Sequence, residues 1–228
     1  MLHLAQRRQL LDDIRLDVDV ASHTLVLFAT IVLCGAAYGA TLGSWHSGAR
    51  LSLYAAVKVP LMMLATAAIT ALFNWIVAAM LGLPLRLRQT FALSLVPLAI
   101  ATIVAASLAP VGYFFAASLP PPSPSQQTLH NLLYLTHTIL IAGAGITGTS
   151  FLRRILAEVC GGGPRATRIY VLWLATYAFV GGEVAWALRP FIGSVYLPVF
   201  FLRADALHGN VYEFIFTDIV PHLFGGQP

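Results

Sequence analysis

Charge is scarce in this 228-residue chain: Asp, Glu, Lys and Arg make up 10% of it, where a soluble domain carries about 25%. Lys58 is the sole lysine; the other twelve cations are arginines. With 58% hydrophobic residues and a mean hydropathy of +0.80, the chain is neither an ordinary soluble globule nor a disordered segment. Its few scattered cations exclude a nucleic-acid footprint. Cysteine is equally sparse. Cys34 stands in an apolar run and Cys160 in an Arg-containing stretch, so no disulfide is expected, and no CxxC or Cys/His cluster suggests zinc. P-loop, GxSxG, HExxH and paired ExxH motifs are all missing, so no catalytic residue, metal or cofactor is assigned.

What is present is a series of long uncharged windows. Thirty residues separate Asp19 from Arg50, and sixty-four separate Arg88 from Arg153. A spanning helix needs about 20 mostly apolar residues, so the first window holds one span (24–44). The second holds two (90–117 and 129–151), divided by the proline-rich run from Pro120 to Gln127, which cannot continue a helix. Further spans are predicted over 56–82 and 168–188. The segment 191–202 is apolar but too short to cross, and reads as re-entrant or interfacial. Asn210 with Glu213 has N-cap spacing, and Pro221 ends that helix. Pairing 191–202 with 211–224 would add a sixth crossing and return the C-terminus to the starting side.

The first twenty residues mix Arg7, Arg8 and Arg15 with Asp12, Asp13, Asp17 and Asp19. They lack the basic start and apolar stretch of a signal peptide. Leu4, Leu11, Ile14 and Val18 fall at helical spacing, which predicts an amphipathic helix over 3–19. Its slight negative balance favours packing on protein over gripping anionic lipid. Counting cations by side gives nine with the N-terminus and four opposite, which places the N-terminus and Cys160 in the cytoplasm and Ser123 outside.

Several polar and small residues stand out. Gly35, Gly39 and Gly43, continued by Ser47, make a close-packing stripe that serves either the monomer's own seams or a homodimer. The Gly143–Gly148 stretch matches GxGxxG but lies inside a span and lacks the following acid, so Gly143 and Gly148 are read as helix-packing positions, not a dinucleotide site. His130, Tyr134 and His137 share one helix face; the two histidines are about 10.5 Å apart along the axis, too far for one metal ion. Lys58, His137, Glu183 and Arg189 form a candidate polar cluster, because ionisable groups within spans are costly and usually find partners. A Glu183 bridge to Lys58 or Arg189 is the sharpest expectation.

Trp186, Leu188, Arg189, Pro190, Phe191, Gly193 and Ser194, followed by Asn210, Tyr212 and Glu213, spell W-x-L-R-P-F-x-G-S and then G-N-x-Y-E. This pattern resembles a bacterial family of multi-pass inner-membrane proteins, and the Lys58–Leu61 stretch is similar to it as well. The resemblance implies a fold and a membrane location, and carries no chemistry. On physical grounds, Pro190 ends the fifth span, Gly193–Ser194 permits a turn, and Arg189 can bond the carbonyls freed at the helix end.

The combined expectation is an all-α, polytopic bundle of five membrane spans (23–189), with four to six as the range. An amphipathic N-terminal helix (1–22) precedes it and an extracytoplasmic cap (190–228) follows. Two functions fit: a non-enzymatic scaffold or accessory subunit, partnered by lipid and by other membrane subunits or its own copies, and a small transporter or channel using the polar cluster.

Overall fold

In the computed structural model, described for residues 12–14, 16–45, 49–194, 196, 198–214 and 216–217, five long helices form the bundle. They are α1 (Val20–Leu42), α2 (Ala49–Met80), α3 (Leu87–Ala117), α4 (Gln127–Cys160) and α5 (Gly163–Ala187); the short α6 (Val211–Phe214) follows. Each of the first five is long and apolar enough to cross a membrane. The described residues contain no β-strand. The protein is a multi-pass membrane helix bundle.

Two elements run past the expected limits. The α2 helix begins at Ala49, before Arg50 and Lys58, and α4 continues through Arg153, Arg154 and Glu158 to Cys160. Charge marks where a helix leaves hydrocarbon, not where its hydrogen-bond ladder stops. At 34 residues, α4 is about 51 Å long, well beyond the roughly 30 Å hydrocarbon core. Its end is set instead by Gly161, whose left-handed backbone (φ 72°) turns the chain, with Pro164 in the first turn of α5. Pro60, Pro97 and Pro110 lie within helices, which packed neighbours in a membrane tolerate.

The helices close a ring in the order α1, α2, α5, α4, α3, with α2 also touching α3 across it. Hydrogen bonds between elements pin both ends. At one end Trp45 Nε1 donates to Pro120 O (2.9 Å) and Lys58 Nζ to Pro190 O (2.7 Å); we call this the proline end. At the other, the arginine end, Arg165 donates to Gly82 O and Cys160 O.

The apolar core of the arginine end joins Leu83, Leu93, Leu152, Ile155, Leu156, Ile169 and Trp173. Side-chain hydrogen bonds cross between helices there, while Asn74 Oδ1 is buried without a partner among the described residues. Trp173 Nε1 donates to Asn74 O (3.1 Å), and Tyr177 OH to Ser94 O (2.9 Å).

Of the expected N-terminal helix, residues 12–14 are helical, and Leu4, Arg7, Arg8, Leu11 and Arg15 lie outside the described residues, as do Ser47 and Pro221. Ile14 is fully buried in the arginine-end core, and its carbonyl accepts from Gln89 Nε2 (2.9 Å). The same Gln89 accepts from the Arg86 N–H (2.7 Å) and so caps α3. Asp17 and Asp19 take left-handed backbone, which breaks the chain before α1. Asp17 binds both Arg86 and Arg88. The Arg88 hydrogen bond, with the charges of both arginines, holds the Asp17 carboxyl below its ordinary value of 3.8.

A carboxyl with a depressed folded-state pKa stabilises above its unfolded value, and that contribution disappears as pH falls through the depressed one. The thermal stability gap between the wild type and Asp17→Asn is therefore expected to be full at neutral pH, to begin to shrink near about pH 4 and to be lost as pH falls further through the depressed value. Melting curves in detergent across pH 3–7 check this, and a gap that widens in acid would contradict it.

Candidate functional site

Lys58 sits in α2 with no solvent exposure. A buried ammonium needs a partner. It finds one in the Pro190 carbonyl, freed where α5 ends, at 2.7 Å. The rings of Phe191 and Phe201 lie 5.9 and 5.2 Å from its nitrogen, within cation–π range,. Arg189 folds back on its own helix end. One guanidinium nitrogen donates to Trp186 O (2.8 Å), and the plane lies 3.8 Å from the Trp186 ring. Its other terminal nitrogen pairs with Asp205 at 3.3 Å, and Asp205 also accepts from Arg203 (2.9 Å). The segment after α5 is thus tied down by Lys58 from α2 and by Arg189 from its own root.

The remaining motif residues serve the same cap. Asn210 Oδ1 accepts from the Glu213 N–H (2.7 Å), the N-cap geometry that the spacing suggested,. Tyr212 OH donates to Ala178 O and Phe179 O on α5, and its ring stacks on Phe179 with centroids 5.0 Å apart. Trp186 packs on Phe214. Ser194 Oγ accepts from the Tyr196 N–H (3.2 Å). Phe191, Ile192, Gly193 and Ser194 form the turn that lies over the proline end.

The expected Glu183 bridge does not form. Among the described residues neither Lys58 nor Arg189 pairs with Glu183, and Glu183 Oε1 is buried without a hydrogen-bond partner. Arg189 lies beyond the end of α5, where its guanidinium turns back to Trp186 O and to Asp205. Asp205 takes the arginine instead, brought back by the fold of the cap. Glu183 faces Tyr212: burial first, and then the Glu183 charge, push the Tyr212 phenol above its ordinary range.

His137 is buried on α4 and pairs with Tyr38 of α1, Nδ1 to hydroxyl, at 3.1 Å. The contact depends on Gly112 of α3: a Cβ there would come within 2.9 Å of His137 Cε1. Both Tyr38 and Gly112 escape a reading based on spacing, because each is defined by a neighbour from another helix. Below the cap His137 and Tyr38 border a cavity of about 340 Å³, reached by all five long helices and by Phe191 and Ile192.

The glycine stripe of α1 is the α1–α2 seam. A Cβ on Gly39 would strike the Ala55 carbonyl, and one on Gly43 would strike Leu51 and Ser52; Gly35 packs on Pro60 at ordinary contact distance. Gly148 of α4 abuts the Pro97 carbonyl and Ala101 of α3. Gly143 departs from this set: it is exposed, with open space where a Cβ would stand. Positions 143 and 148 lie about 140° apart around the helix, so they cannot share a seam. Among the described residues Cys34 and Cys160 form no disulfide. In comparisons with known proteins, no family model, no curated protein and no solved structure matches this chain.

Proposed function

We propose that this bundle is a non-enzymatic scaffold or accessory subunit of a complex in a bacterial inner membrane, with its N-terminus in the cytoplasm. The observation that carries the reading is the use made of the intramembrane cations. Lys58 and Arg189 are bonded to the cap and to a helix end, so they act as fasteners of a fixed surface. Lipid-level side chains such as Leu33, Ile146 and Phe179 remain exposed on the outside of the ring, where they meet acyl chains or neighbouring subunits. Affinity purification of the tagged protein from cross-linked native membranes, followed by mass spectrometry, tests it. Recurrent stoichiometric partner chains are expected; recovery of the protein alone at every detergent strength overturns it. Transport is the second reading. It is favoured by one observation, the buried and unpartnered Glu183 oxygen, and solute flux into proteoliposomes that Glu183→Gln abolishes would select it.

The orientation has its own test. The excess of arginine at the arginine end supports a cytoplasmic position for that end. Cys160 is buried, so it is a poor reporter. In a cysteine-free background, Ser125→Cys and Thr167→Cys place an exposed thiol at the proline end and the arginine end respectively. An impermeant maleimide on intact cells is expected to label the first and spare the second; the reverse pattern inverts the protein.

A further inference from the structure

We propose that the proline end holds a lipid site: one acyl chain lies in the apolar slot along α4, and an anionic head meets Arg203 in the adjoining pocket of the cap. The slot has a volume of about 340 Å³, within the roughly 300–1,000 Å³ of small-molecule sites. It follows one stripe of α4, through Tyr134, Thr138, Ile141, Gly145 and Thr149, whose spacings of three and four residues keep them on one helix face. From Tyr134 to Thr149 that stripe is about 22 Å long, so the volume is drawn out along the helix, as an extended chain is. Met62 and Met63 of α2, Leu98 of α3 and Ile192 of the cap make the other walls apolar. Tyr134, Thr138 and Ile141 are exposed and belong to a helix able to cross the membrane, so the slot opens sideways into lipid. An apolar cavity excludes water, and the apolar matter at its mouth is acyl chain.

The head end is marked by a second cavity, of about 150 Å³, built largely from the cap. Tyr134 borders both cavities, and the cap turn divides between them: Pro190 and Gly193 border the second, Phe191 and Ile192 the slot. The two are therefore adjacent, and a molecule that fills both passes Tyr134. Arg189 and Arg203 also border the second cavity. Both pair with the one carboxylate of Asp205, which leaves a positive charge in excess there among the described residues. Arg189 is tied to Trp186 O as well. Arg203 gives only its Nε to Asp205, at 2.9 Å; its two terminal nitrogens have no partner among the described residues, and its side chain is 39% exposed. A guanidinium with donors to spare matches the oxygens of a phosphate or a carboxylate. The excess charge favours an anion that carries no cation of its own. An acyl chain with an oxyanion head is the chemistry shared by an anionic phospholipid and a fatty acid.

The full-length protein in phosphatidylcholine nanodiscs is titrated with phosphatidylglycerol, palmitate and hexadecanol in turn, and the probe molecules retained per chain are counted by native mass spectrometry. At least one anionic probe is expected to be retained saturably, one molecule per chain, and about five-fold more tightly than hexadecanol, the scale of one net hydrogen bond. Phosphatidylglycerol alone retained identifies a phosphodiester head, palmitate alone a carboxylate, and both together a site for either oxyanion. Arg203→Gln is expected to erase the preference over hexadecanol, and Arg203→Lys to keep part of it. Gly145 borders the slot with open space where a Cβ would stand, so Gly145→Leu fills the slot without a clash and is expected to weaken every probe at least ten-fold. Gly143→Leu, two residues away on the exposed face, leaves binding unchanged. Should Arg203→Gln fail to fold, hexadecanol decides the head and the glycine pair decides the chain. No saturable retention, equal binding to the Gly145→Leu protein, hexadecanol held as tightly as both anions, or an undiminished preference in Arg203→Gln would each overturn the assignment.

Discussion

Gly39→Leu is expected to cost the bundle at least about 3 kcal/mol, at or beyond the upper end of ordinary overpacking, while Ala29→Leu in the same helix costs less than about 0.5 kcal/mol. Both add apolar bulk to α1. They differ in what they meet. Ala29 is exposed on the outer face. At Gly39 a Cβ would already stand 2.8 Å from Ala55 C and 2.9 Å from Ala56 Cα, and would press into the Ala55 carbonyl oxygen. That obstacle is backbone, with no rotamer to move aside, so α1 and α2 must separate. Separation also opens the neighbouring Gly35 and Gly43 contacts, which lie along the same seam. Thermal unfolding of the two variants in one detergent reads the difference. Equal melting temperatures would show that this seam does not hold the monomer together.

Lys58→Ala is expected to be the most damaging change at the proline end. It removes a fully buried side chain, a truncation that costs about 2–5 kcal/mol for apolar residues of similar length. It also leaves the Pro190 carbonyl without the donor at 2.7 Å, a further loss of about 1–3 kcal/mol. Lys58→Met keeps the stem and the packing against Phe191 and Phe201, so it should show the hydrogen-bond part alone, about 1–3 kcal/mol. The damage should be directed: the bond joins α2 to the cap, so the cap loosens before the bundle melts. Trypsin cleavage after Arg203, which is partly exposed on the cap, is expected to accelerate in Lys58→Ala at temperatures where the helices remain intact. Cleavage at the wild-type rate, with an unchanged melting point, would mean that Lys58 holds nothing.

Both predictions turn on one physical distinction. Hydropathy acts residue by residue, because each side chain trades water for lipid largely on its own account. For that reason the uncharged windows yield five helices, and the Pro120–Gln127 run yields the break between the third and fourth. The Asn210 cap is legible for a related reason: its partner is three residues away. The small residues of α1 are legible as a stripe, since their spacing records a face.

Partners across helices are not recorded in any spacing. Glu183 and Arg189 are near in sequence and do not pair; Arg189 and Asp205 are sixteen residues apart and meet. Lys58 reaches the Pro190 carbonyl, an acceptor outside any helix ladder because α5 has already ended at Ala187. His137 was visible as an odd polar residue in a span, but Tyr38, Gly112 and the cavity become neighbours of it only once the five helices close their ring. Membrane crossing, span number and the local caps follow from the amino-acid order, because solvent transfer and short-range hydrogen bonding are local. Which charges pair, which glycines touch backbone and where the cavity lies were decided by tertiary packing, because those contacts depend on the rotation of each helix about its axis, and that angle is set by all the neighbours at once.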